Sequence, residues 1–90
     1  IYNIDSMNFI ERYDLLVRIA QFIQQEKTGS LEEFSRKCHI KKDMLHDYIE
    51  LLRQFAGRES AQILYDRERK TYYFTPRGKF NEFKFSVYNL

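Results

Sequence analysis

The sequence predicts an α+β domain in which three helices precede a β-hairpin. Two observations predict it. Apolar residues recur at helical spacing in three stretches between Phe9 and Phe55. Beyond Gly57 the period becomes alternating, in two runs rich in β-branched and aromatic residues, Ala61 to Tyr65 and Thr71 to Thr75.

Residues 8–26 carry the first helix. Phe9, Tyr13, Leu16, Ala20 and Ile23 make its apolar stripe. Leu15, Ile19 and Phe22 widen that stripe, so burial on more than one side is expected. Lys27-Thr28-Gly29 ends the helix, with Gly29 suited to a left-handed cap. Ser30-Leu31-Glu32-Glu33 has the form of a capping box, in which the Ser30 hydroxyl accepts from the Glu33 amide and the Glu33 carboxylate reaches back. It opens a short second helix over residues 31–37, with Leu31, Phe34 and Cys38 on the apolar side. Cys38-His39-Ile40 is a turn, and a third helix follows over residues 42–56. Leu45, Ile49 and Leu52 form its central stripe, flanked by Met44, Tyr48, Leu51 and Phe55. Asp43 in its first turn suits the helix dipole, and Gly57 ends it.

Asp66-Arg67-Glu68-Arg69-Lys70 is a charged turn between the two strands, and Pro76-Arg77-Gly78 closes the second. Alternation points Tyr73 at the core and puts Tyr72 and Phe74 on the opposite face, to be covered by Phe83 and Phe85 or by another subunit. Phe83, Phe85 and Val87 suggest one more strand, or a tail laid on the sheet. The short turn between the second and third helices is that of a helix-turn-helix pair, and the hairpin directly after it supplies a wing. One domain over residues 7–85 is expected, with a C-terminal tail over 86–90.

Composition narrows the function classes. A chain of 90 residues has room for one domain, and its seven Tyr and eight Phe are needed to build the core, which leaves little for a catalytic cleft. The apolar runs Leu15-Leu16-Val17 and Tyr72-Tyr73-Phe74 fall far short of the ~20 residues of a membrane span. No basic segment followed by an apolar stretch opens the chain, so no signal peptide is expected. Cys38 has no second cysteine to pair with, which fits a reducing, cytoplasmic setting. Cys38, His39, His46 and Asp47 invite a metal or catalytic reading, but their spacing meets no common zinc pattern. No phosphate loop, dinucleotide fingerprint or nucleophile elbow occurs. An enzyme, a metal and a cofactor are therefore not expected.

The segment Leu31-Glu32-Glu33-Phe34-Ser35-Arg36-Lys37-Cys38-His39-Ile40, with Lys41 to Leu52 after it, resembles the helix-turn-helix of bacterial DeoR-like winged helix-turn-helix domains. Gln62 to Phe74 resembles the wing of that family. The likeness is closest to short stand-alone proteins of this type, which begin like Phe9-Ile10-Glu11-Arg12 and end like Gly78-Lys79-Phe80-Asn81. It implies a DNA-binding fold and a role in transcriptional control. The chain departs from the pattern on the surface: His39 stands for the turn Gly, Lys41 for the cap Ser, Met44 for a Thr, and Asp47-Tyr48 for an Arg-Asp pair. Arg58-Glu59-Ser60 is inserted before the wing, while the core positions Ile40, Leu45, Ile49 and Leu52 match.

Charge is distributed to suit that implication. Residues 1–50 hold seven Lys/Arg against nine Asp/Glu, and residues 51–90 hold eight against four, so the second half is basic. The expected function is double-stranded DNA binding by a small bacterial transcriptional regulator. Lys41, Lys42 and His46 are assigned to the major groove, and Arg67, Arg69 and Lys70 to the backbone or minor groove. The third helix is nevertheless neutral, with Lys41, Lys42 and Arg53 against Asp43, Asp47 and Glu50. That neutrality, with the aromatic hairpin, supports the alternative: a winged helix serving as a homodimerisation or protein-interaction module.

Overall fold

A computed structural model describes residues 7–77. Three helices, α1 (Phe9–Gln25), α2 (Leu31–Cys38) and α3 (Lys42–Arg58), precede strands β1 (Gln62–Asp66) and β2 (Thr71–Thr75). The strands form one antiparallel hairpin in the register Ile63 with Phe74, Leu64 with Tyr73 and Tyr65 with Tyr72. This is the predicted α+β arrangement of a helical core and a hairpin wing. The predicted additional strand at Phe83, Phe85 and Val87 and the tail lie outside the described residues.

Local chemistry sets the helix ends. Ser30 and Glu33 make the expected capping box, with the Glu33 amide donating to Ser30 Oγ at 3.2 Å. Hydrogen bonds from the Ser30 backbone and side chain lower the pKa of the Glu33 carboxyl. Asn8 and Glu11 form a second capping box at the start of α1. Two predicted ends are corrected. The left-handed cap of α1 is Glu26 (φ 55°), not Gly29, although Gly29 is also left-handed at φ 74°. Helix α3 continues through Gly57 to Arg58, with Ala56 buried in the core just before it.

The core lies where the three helices meet the hairpin. Phe34, Ile19, Ile23, Leu45, Ile49, Leu52 and Ile63 are all fully buried. Burying a side chain of this size is worth roughly 1.5–3 kcal/mol, so these seven carry much of the driving force. A row of rings crosses from helices to wing: Phe22 to Phe34 at 5.8 Å, Phe34 to Tyr72 at 6.0 Å, Tyr72 to Tyr65 at 4.8 Å. Phe9 departs from the expected stripe. It sits at the first turn of α1, on the rim of a groove between α1 and α3, and is 69% exposed.

Strand β2 also reverses its predicted facing. Phe74 is buried and Tyr72 packs against the core, while Tyr73 lies on the other face under the Arg77 guanidinium, 4.4 Å from the ring centre. The register decides this, because Phe74 and Tyr72 stand opposite Ile63 and Tyr65 on one face of the ribbon. A run of aromatics on both faces carries no alternation from which that parity could be read.

A buried polar staple fixes the wing to the helices. Thr28 N donates to Thr71 Oγ1 at 3.2 Å, and Tyr72 N donates to Thr28 Oγ1 at 2.9 Å. The two hydroxyl oxygens are 3.2 Å apart, and each hydroxyl also donates to a carbonyl, Gly29 O or Tyr72 O. Both threonines are essentially fully buried. The α1–α2 connection thus lies along the edge of β2 that faces away from β1 and satisfies its backbone.

Candidate nucleic-acid interface

Helix α3 begins differently from the other two. Lys41 is its N-cap and makes no side-chain cap hydrogen bond, whereas α1 and α2 both open with capping boxes. Asp43 Oδ1 accepts from the Met44 amide at 2.9 Å. Lys41 and Lys42 are exposed at this end. Met44, Leu45, Tyr48, Ile49 and Leu52 anchor the inner face of α3 in the core, which leaves His46, Asp47 and Glu50 along its outer side.

The acidic groups of α3 have local roles. Glu50 pairs with the Arg53 guanidinium, and Arg53 Nε also donates to Ile63 O at 3.3 Å, tying α3 to β1. His46 stands between two carboxylates, Nδ1 at 3.8 Å from Asp47 and Nε2 at 3.7 Å from Glu50. Arg53 therefore offsets Glu50 at the base of the wing rather than at the tip of α3.

The turn of the wing is built by Asp66, whose Oδ1 accepts from the Glu68 and Arg69 amides at 2.9 and 3.1 Å. Lys70 completes the turn in the left-handed conformation, at φ 53°. Arg67 and Lys70 project from this turn, exposed and with no ion pair among the described residues.

Arg69 is placed differently. Its guanidinium binds Glu26 Oε1, and the Arg77 guanidinium binds Glu26 Oε2 at 3.1 Å. Burial pushes the Glu26 carboxyl up, but Arg77 and Arg69 more than reverse this and hold it below its ordinary range. So of the six residues assigned from sequence, Lys41 and Lys42 share the tip of α3, and His46 lies a turn further along. Arg67 and Lys70 share the tip of the wing, and Arg69 is folded back onto α1.

Sequence reasoning missed Glu26 and Arg77. A signal was present for Glu26, because a carboxylate at a helix C-terminus opposes the dipole and calls for a cationic partner. Cys38 is fully buried, and desolvation pushes its thiol up to about 11. It is a core side chain. No helix among the described residues is long and apolar enough to cross a membrane. The chain matches no protein-family model, no curated protein and no solved structure.

Proposed function

We propose that this protein binds double-stranded DNA, with the start of α3 in the major groove and the wing tip on the phosphate backbone or minor groove. In this reading it is a small bacterial transcriptional regulator of the DeoR-like winged helix-turn-helix type, acting in the cytoplasm. The observation that carries the reading is the start of α3, where two exposed ammonium groups, Lys41 and Lys42, stand beside a helix end that Lys41 does not cap and where Asp43 takes the Met44 amide. Such an end favours phosphate through both the dipole and the amides, and a recognition helix meets base edges with its first turns. His46 supplies a ring nitrogen for a base edge, and Arg67 and Lys70 supply charge from the wing.

Magnitude follows from counterion release. Lys41, Lys42, Arg67 and Lys70 neutralise one phosphate each, so log K falls against log salt with a slope of about −3.6, from ~0.9 per phosphate. Affinity then drops on the order of 100-fold between 50 and 200 mM salt. Fluorescence anisotropy on duplexes enriched from a random library reads this directly. A slope near zero, or no binding at low salt, overturns the reading.

One observation favours a second reading. Phe9 and Ile10 are 69% and 63% exposed, and Phe9 lines an apolar groove between α1 and α3 with Tyr13, Leu16, Tyr48 and Leu51. An apolar surface of this kind suits a protein partner or a second copy of the chain. Sedimentation equilibrium of the wild type and of Phe9→Asp tests it: concentration-dependent association that the substitution abolishes supports this reading.

A further inference from the structure

We infer that Arg69 and Arg77 form a phosphodiester-binding pair that Glu26 occupies in the free protein as an internal counter-anion. The inference rests on the DNA-binding reading and names a part of the interface that the wing tip alone does not include.

The geometry is that of two guanidinium groups on one carboxylate. Arg69 takes one oxygen of Glu26, and Arg77 takes the other at 3.1 Å. A phosphate presents the same pattern, two oxygens open to planar donors from different directions. The arginines flank β2 at its two ends, and their long side chains reach the same carboxylate from opposite directions. Their side chains are 52% and 54% exposed, whereas Glu26 is 17% exposed. The cations can therefore turn toward an external anion while the carboxylate stays behind them. Arg77 is also braced on the Tyr73 ring, which keeps it at this position when its anion changes.

Glu26 is not what holds the wing in place. The Thr28–Thr71 staple fixes the turn end of β2, Asp66 fixes the turn, and the Phe34–Tyr72–Tyr65 rings fix the face. Removing the Glu26 charge thus leaves the wing where it is and frees two cations. Glu26 thereby limits the affinity of the interface for polyanions.

The test compares wild type, Glu26→Gln and the charge-matched control Glu59→Gln, whose carboxylate lies exposed at the end of α3. Glu26→Gln is expected to raise duplex affinity at 0.1 M salt on the order of tenfold and to steepen the salt slope by up to ~1.8, for two phosphates. It is expected to elute from immobilised heparin at higher salt than Glu59→Gln. Adding Arg69→Ala and Arg77→Ala to Glu26→Gln is expected to remove both gains. Thermal melts establish that each variant is folded. A folded Glu26→Gln that binds duplex and heparin no more tightly than Glu59→Gln overturns the inference. A gain on heparin with no duplex binding by any variant overturns the DNA reading and supports the arginine pair as a polyanion site.

Discussion

Replacing Thr71 with Val tests the staple that joins the wing to the helices. Valine keeps the β-branched shape, so β2 retains its packing and its strand preference. What is lost is the hydroxyl, which accepts from the Thr28 amide at 3.2 Å and donates to Tyr72 O at 2.9 Å. The Thr28 amide is then a buried donor with no acceptor, and such an orphan costs roughly 1–3 kcal/mol. A domain of this length has a total stability of about 5–13 kcal/mol, so a loss near 2 kcal/mol is a large part of it. The melting temperature should fall by about 8–16 °C, taking ~4–8 °C per kcal/mol for a domain of this size. Urea denaturation followed by circular dichroism measures the loss. Thr75→Val is the control, because Thr75 sits half-buried on the same strand outside the staple and should change stability by less than ~0.5 kcal/mol. Equal stability of the two variants would refute the reasoning, since the staple would then contribute nothing.

The two described glycines should respond in opposite directions to alanine. Gly57 is inside α3 with open space around it, so Gly57→Ala should stabilise by ~0.5–1 kcal/mol, whereas Gly29→Ala should destabilise by more than ~1 kcal/mol in thermal melts. At Gly29 the backbone is left-handed, and a Cβ would lie 2.9 Å from Glu33 Cβ. Because Arg77 and Arg69 hold the folded pKa of Glu26 below its unfolded value, the ion pair stabilises the fold above that value, near 4.3, and the contribution is lost as pH falls through the folded pKa. The gap in urea midpoint between wild type and Glu26→Gln should therefore be widest at neutral pH and close as acid protonates Glu26, below the ordinary carboxylate range; a gap constant from neutral to acid pH contradicts the assignment. Cys38, with its thiol pushed up to about 11 by burial, should resist Ellman's reagent at pH ~8 in the folded protein and react at once in denaturant. Rapid labelling of the folded protein would show that the thiol is not in the core.

The helices were legible because each announces itself locally. Ser30 and Glu33 mark the start of α2, and the Leu45–Ile49–Leu52 stripe fixes the buried face of α3 whatever lies beside it. The facing of β2 was not legible, because Tyr72, Tyr73 and Phe74 fit either side of a ribbon and only the pairing with Ile63 and Tyr65 decides. Thr28 and Thr71 were equally silent: two small polar residues 43 positions apart look like loop chemistry until the fold buries them together. For the interface, sequence reasoning found the exposed cations of α3 and the turn. It did not find the long-range partner that draws Arg69 out of that set, since an ion pair between residues 26 and 69 leaves no trace in local spacing. Gly57 misled for a related reason, as glycine often ends a helix but is tolerated within one where packing on the core carries the segment past it.

If the proposed function holds, α3 and the wing meet duplex DNA together. Amide chemical-shift mapping by NMR, with an enriched duplex added at low salt, tests it most directly. The largest changes are expected on residues 40–46 and 66–70, fading as salt is raised. Changes confined to the groove around Phe9, Tyr13 and Leu51, or no changes at all, would contradict it.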